Sequence, residues 1–205
     1  MLATKYYLSL DIESTGDRYH NTVNAIGIYW APVIPGTPGP VIKKRWCLKP
    51  LPGDQDDPTT MREFWAKFPD VFQTIQAEAR PAAEVMLEFR DFLRTGTQAR
   101  GVKNTTILTD CPDFDLGRLD YLGQLRTGAF DRPVRYMDVG VRHGQADPSE
   151  RLEQLGAGAE AKFEAWLKEK APGVKHTHLP DDDAEHSYWQ QVYCDEQRRL
   201  AEAHA

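Results

Sequence analysis

Residues 8–16 read L-S-L-D-I-E-S-T-G, an apolar strand that ends by presenting Asp11 and Glu13 on one face before the chain turns at Gly16. Side chains two apart along a strand point the same way, so both carboxylates can reach one hard divalent cation while Ile12 faces the core. The plain alternative is a solvated strand end with capping residues. A second acidic group, D-C-P-D-F-D at 110–115, follows a strand end at Thr109 and runs into a helix that begins close to Asp113. Ligands of open α/β sheets bind outside the strand ends, which makes Asp115 the member best placed to meet the Asp11 pair. N-cap chemistry and solvated charge are the competing account of such a run. A third group is H-T-H-L-P-D-D-D-A-E-H at 176–186. His178 sits on the loop before a helix and Asp183 falls in its first turn, so imidazole and carboxylate address one pocket as base beside metal ligand. Asp181 and Asp182 read as helix-dipole partners, and His176 and His186 as exposed. A His-only zinc site is the rival, without a thiolate cluster or an H-E-x-x-H spacing behind it.

The elements that must position these groups follow from patterning. Residues 5–11, 23–30 and 40–48 are rich in Tyr, Leu, Val, Ile and Trp, and A-P-V-I-P-G-T-P-G separates the second from the third. Three sequential strands in an antiparallel meander are expected. Met61, Phe64, Trp65 and Phe68 recur at helical spacing and predict two short helices over 59–72. Pro81 stands at N1 of a helix whose apolar face is Val85, Met86, Phe89, Phe92 and Leu93, ending near Thr95 and Gly96. Residues 104–109 form a short strand, followed by a helix bearing Phe114, Leu116, Leu119 and Leu122. Val134–Val139 reads as another strand, 149–170 as an amphipathic segment broken by G-A-G, and Asp181 onward as a helix with acidic residues in its first turn. This order is that of an α/β chain with a mixed sheet.

The 205 residues fit one globular domain spanning 1–205. No run of eighteen apolar residues exists, and the N-terminus runs into a strand without a signal-peptide pattern. A soluble, intracellular, cytoplasmic protein with no membrane partner is expected. Cys47, Cys111 and Cys194 are odd in number and far apart, as free thiols are. A formal charge of −6 argues against a polycationic nucleic-acid coat, while leaving room for a local basic groove drawn from Lys43, Lys44, Arg45, Arg118 or Arg126.

Taken in order and spacing, D-I-E-S-T-G with Asp11 and Glu13, F-D with Asp115, and H-x-x-x-x-D with His178 and Asp183 resemble the three-motif signature of the DEDDh 3'-5' exonucleases. That superfamily includes ribonuclease T, oligoribonuclease and the proofreading subunit of bacterial DNA polymerase III. The resemblance spans nearly the whole chain and implies a ribonuclease H-like fold, a mixed five-stranded sheet flanked by helices. It implies a hydrolase that removes nucleoside 5'-monophosphates from the 3' end of single-stranded nucleic acid with two Mg²⁺ or Mn²⁺ ions, RNA slightly preferred over DNA. Asp11 would bridge both ions, Glu13 and Asp183 would complete the site of the attacking water, Asp115 would hold the second ion, and His178 would take the proton. Substrate contacts carried over are the main chain of Ile12, the cradle at Thr15 and Gly16, and Trp65 with Phe68 as aromatics wedged against the terminal bases; the spacing of these two also suits core packing. A departure is the family's H-N-x-x-F-D, which here faces D-C-P-D-F-D, with Asp110 or Cys111 in place of the Asn. The alternatives are a DNA proofreading or repair exonuclease, and a catalytically silent ribonuclease H-like scaffold. Homodimers are common in the family and are carried over as an expectation.

Overall fold

The computed structural model describes residues 4–100, 104–131 and 147–204. Strands β1 (Tyr6–Ser14), β2 (Val23–Pro32) and β3 (Ile42–Cys47) form the expected antiparallel meander, and β4 (Thr105–Leu108) joins β1 in parallel, giving the order β3-β2-β1-β4. The strand expected at Val134–Val139 lies outside the described residues, so the sheet has four strands among those described, against five implied by the resemblance. Mixed pairing with helices on both faces makes this an α/β fold of the ribonuclease H-like kind.

Between β3 and β4 come α1 (Pro58–Glu63), a 3-10 turn (Trp65–Lys67), α2 (Pro69–Glu78) and α3 (Ala82–Arg100). The third helix runs on through Thr95 and Gly96 where the sequence suggested a stop, since one glycine costs a helix interior only about 1 kcal/mol. After β4 follow α4 (Pro112–Asp120), a π-helical turn (Tyr121–Arg126), α5 (Pro148–Gln154), α6 (Ala159–Lys170) and α7 (Pro180–Ala203). The expected break between α5 and α6 is made by Gly156 and Gly158, both in the left-handed region at φ 89° and 78°.

Alternation along the strands sorts the buried side chains into two core layers, one on each face of the sheet. Tyr6, Leu8, Leu10 and Ile12 of β1 and Ile26, Ile28 and Trp30 of β2 pack with Val85, Met86, Phe89 and Leu93 of α3 and with Leu116 and Leu119 of α4. The opposite face of β2 carries Tyr29 and Ala31, which meet Ala184, Tyr188 and Val192 of α7. All ten residues of β2 are buried, as a central strand covered on both faces requires.

The close approach of α7 rests on one glycine. A Cβ at Gly27 would lie 2.0 Å from the carbonyl carbon of Pro180, 2.2 Å from its oxygen and 2.3 Å from the nitrogen of Asp181. These are backbone atoms and cannot swing aside. Gly27→Ala is therefore expected to push the start of α7 off the sheet and to cost about 3 kcal/mol, the upper end of ordinary overpacking. In a thermal melt that is a drop of roughly 6–12 °C; a melting temperature within about 2 °C of wild type would contradict the packing.

Candidate active site and metal centre

Three elements converge at one end of β1. Asp11 pairs in register with Gly27, so the α7 start that crosses Gly27 brings Asp183 over the carboxylate pair of β1. The parallel register runs from Tyr6 opposite Thr105 to Ser9 opposite Leu108, and carrying it two residues further sets Asp110 alongside Asp11. Asp115 returns from the first turn of α4, where it accepts a hydrogen bond from the Thr109 hydroxyl. Ligand oxygens of Asp11, Glu13 and Asp183 all lie within 4.8 Å of one another, and so do those of Asp11, Asp110 and Asp115. Asp11 belongs to both triads.

The electrostatics are those of negative charge held together out of water. Burial, reinforced by Glu13, Asp115, Asp110 and Asp183, pushes the Asp11 carboxyl well above the ordinary range. Burial followed by the charges of Asp183 and Asp115 raises Glu13 to about 8. Asp115 is raised to about 7, again by burial, against the opposing hydrogen bond from Thr109. Asp110 is raised for the same first reason. The inner oxygen of Asp11, Oδ2, is sealed from solvent with no hydrogen-bond partner. A buried, unpartnered carboxylate oxygen amid other carboxylates fits a hard divalent cation, whose ligands are oxygens.

Asp183 is oriented by its own loop: its Oδ1 accepts the backbone N–H of Thr177 and of His178, each at 3.1 Å. Its Oδ2 faces His176 Nε2 at 3.2 Å and His178 Nδ1 at 3.8 Å. His178 has φ 62°, the left-handed conformation, and is the one non-glycine residue so placed among those described. That bend turns its ring onto Phe68 and Phe64, with centroids 4.1 and 5.1 Å away. Burial lowers the His178 pKa below the ordinary value, whereas the hydrogen bond to Asp183 raises that of His176.

Asp11, Glu13, Asp115, His178 and Asp183 thus meet in one place, joined by Asp110, named in the sequence as a member of the acidic run, and by His176, which is exposed as expected yet lies beside Asp183. Asp110 carried a weak signal, its position directly after a strand, but only the parallel register aims it at Asp11. Other expectations change. Trp65 is buried among Ala25, Cys47 and Ile75 and donates its indole N–H to the Ser14 carbonyl at 3.1 Å, so it is a core residue and offers no face to a base. His186 is not exposed: only 13% of its side chain is open, Nε2 lies 3.2 Å from Glu164, and the ring stacks on His176. Thr15 is buried, with Oγ1 accepting the Thr22 N–H, and Gly16 is packed so closely that a Cβ would meet Asn21 Oδ1 at 2.5 Å. The side chain of Ile12 lies in the core.

The candidate basic groove is used up internally. Lys43 pairs with Asp182 and Glu185, Lys44 with Glu88, Arg45 with Glu78 and Asp181, and Arg126 with Asp54. Asp181 and Asp182 therefore answer strand β3 as well as their own helix N-terminus. Arg118 is buried and donates to Gly16 O at 2.6 Å, Ser14 Oγ at 3.2 Å and Asn21 O at 3.4 Å, clamping the loop after β1.

The fold has counterparts among solved structures. The nuclease domain of 3'hExo, a DEDDh family member solved bound to rAMP, superposes with a TM-score of 0.61 at 13% identity, covering 95% of this chain and 93% of that one. This chain has the fold of the DEDDh 3'-5' exonucleases. Exonuclease I of E. coli, in complex with a dT13 oligonucleotide, shares that DEDDh fold with a TM-score of 0.62 at 14% identity over 97% of this chain. The match covers 43% of exonuclease I, so this chain spans less than half of that protein. Cell-death related nuclease 4 aligns with a TM-score of 0.59 at 14% identity, over 96% of this chain and 64% of its own. At the level of sequence, neither a protein-family model nor a curated protein matches.

Proposed function

We propose that this protein is a metal-dependent 3'-5' exonuclease acting on single-stranded nucleic acid, with residues 1–205 forming one exonuclease domain. The observation that carries the reading is the pair of carboxylate triads sharing Asp11. Asp11, Glu13 and Asp183 would hold one divalent ion, and Asp11 and Asp115, with Asp110 beside them, a second. Such a pair of ions, Mg²⁺ or Mn²⁺, supplies activation of water and neutralisation of charge on the phosphate and the leaving 3'-oxygen. A DEDDh neighbour, E. coli exonuclease I, has been solved in a zinc-bound form with single-stranded DNA, which supports a divalent metal without choosing it.

The chain's own residues do the rest. His178, kept neutral by its partial burial, accepts the proton of the attacking water. Asp183 holds the His178 loop through two backbone N–H groups, so ligand and base are positioned as one unit. Phe64 and Phe68 hold the imidazole in place, and Phe68, half-buried, offers the terminal base a stacking edge in the role that Trp65 does not fill. Stacking of this kind is worth ~1–3 kcal/mol per base. Arg118 fixes Ser14 and Gly16, the turn next to which the 3' end would lie.

Neighbours of the same fold are solved with a dT13 DNA and at the 3' end of a histone mRNA stem-loop, so the polymer is settled by assay, RNA being the expected preference. Labelled at the 5' end, single-stranded RNA and DNA are incubated with Mg²⁺, Mn²⁺ or chelator. Stepwise shortening from the 3' end that requires metal is expected. No shortening of either polymer with either metal would return the chain to the scaffold reading.

A further inference from the structure

Two metal chemistries meet at Asp183. On one side are the carboxylates of β1, all oxygen ligands; on the other are two imidazoles from the H-T-H of residues 176–178. Ligand atoms of His176, His178 and Asp183 lie within 4.8 Å of one another. Adjacent ligands of a tetrahedral zinc ion with bonds near 2.0–2.1 Å stand ~3.3–3.4 Å apart. The His176–Asp183 separation of 3.2 Å already matches this, and the 3.8 Å from His178 needs only a small ring rotation.

We propose that His176, His178 and Asp183 form a binding site for Zn²⁺ or a similar borderline cation, distinct from the carboxylate centre and sharing only Asp183 with it. Imidazole nitrogen selects such ions over Mg²⁺. The ligands are held before the ion arrives. The left-handed backbone at His178 turns a two-residue spacing into ring centroids 4.9 Å apart. His176 is backed by the stacked ring of His186, itself fixed by Glu164, and His178 is backed by Phe68. The Asp183 Oδ1 lone pairs are taken by two backbone N–H groups, which leaves Oδ2 to bind.

The site has a consequence for activity, and that part rests on the exonuclease reading. A neutral imidazole has one basic nitrogen. Whichever nitrogen of His178 binds the ion, the other keeps its hydrogen, so no proton acceptor remains; the same ion draws Asp183 Oδ2 away from Asp11 and Glu13. Zinc at this site is therefore inhibitory in the presence of Mg²⁺.

The test uses Co²⁺ as a spectroscopic probe on the whole chain. Wild type is expected to bind one Co²⁺ with the visible absorption of a nitrogen-containing tetrahedral site, displaced by Zn²⁺. His176→Ala and the milder His176→Gln should each weaken Co²⁺ binding by about tenfold or more, while Mg²⁺ still raises their melting temperature. Asp11→Asn should keep the Co²⁺ site. Absence of Co²⁺ binding in wild type, or binding indifferent to both His176 variants and lost in Asp11→Asn, would overturn the proposal. In the nuclease assay, the Zn²⁺ needed to stop shortening should rise by about tenfold or more in His176→Gln. If His-dependent Co²⁺ binding is found and no nuclease activity is, the metal site stands and the exonuclease reading falls.

Discussion

Stripped of divalent metal, the protein is expected to melt higher at pH 5 than at pH 8, and Mg²⁺ is expected to abolish or reverse that order. Asp11, Glu13 and Asp115 have folded-state pKa values above the unfolded ones, Glu13 at about 8 and Asp115 at about 7. Between the unfolded and folded values the native state binds more protons than the unfolded chain, so stability falls as pH rises through that window. His176, also raised, adds to the fall, and His178, lowered, opposes it with a single group. The comparison stops at pH 5 because Glu88, pulled down to about 2 by Lys44, Arg80 and Trp46, contributes stability that is lost below the unfolded glutamate value. One net pKa unit corresponds to about 1.4 kcal/mol, or roughly 3–6 °C for a chain of this size. Mg²⁺ at about one hundred times its Kd adds about 2.7 kcal/mol. Differential scanning fluorimetry with and without chelator decides the matter; a metal-free protein that melts higher at pH 8, or one indifferent to Mg²⁺, would remove the carboxylate cluster as a metal centre.

On the proposed exonuclease reading, Asp11→Asn should abolish activity while leaving the metal-free protein more stable than wild type at pH 8. The amide has the shape of the protonated carboxyl that the buried site favours, so the variant is relieved of the charge that Glu13, Asp115, Asp110 and Asp183 repel. At pH 5 the two proteins should melt alike; at pH 8 the variant should melt a few degrees higher, and it should lose most of the Mg²⁺ response. Removing the residue shared by both triads is expected to lower kcat by about 10³-fold or more, the scale on which single electrostatic contributors act. Gain of stability with loss of function marks a site that holds strain for its chemistry. A less stable variant at pH 8 would instead make Asp11 a structural residue.

Local patterning carried much of this arrangement. Strand parity alone pairs Asp11 with Glu13, and the strand-to-helix junction at Thr109 points to Asp115. The loop-to-helix step puts His178 beside Asp183. What parity cannot supply is register: Asp110 reaches Asp11 only because β4 runs parallel to β1 with Ser9 opposite Leu108. The spacing of Met61, Phe64, Trp65 and Phe68 announced an amphipathic segment, yet the 3-10 turn between α1 and α2 rotates Trp65 inward and leaves Phe64 and Phe68 against His178. His176 is exposed as its sequence context suggested, with 55% of its side chain open, and only the folded loop shows that its Nε2 also reaches Asp183. The basic residues of β3 were ambiguous for another reason: three of the acids that pair with Lys43 and Arg45, Asp181, Asp182 and Glu185, lie more than a hundred residues away in sequence.

Gly27 has no functional group, yet the contact it permits on β2, opposite Asp11 of β1, sets how close the helix start that carries Asp183 comes to the sheet. In a saturation-mutagenesis screen scored by survival of activity, position 27 would rank with Asp11 among the least tolerant, and alignment-based searches for reactive residues would pass over it. Redesigning this scaffold for another substrate could rewrite Phe68 or the loop at 176–178, but would have to carry position 27 forward unchanged.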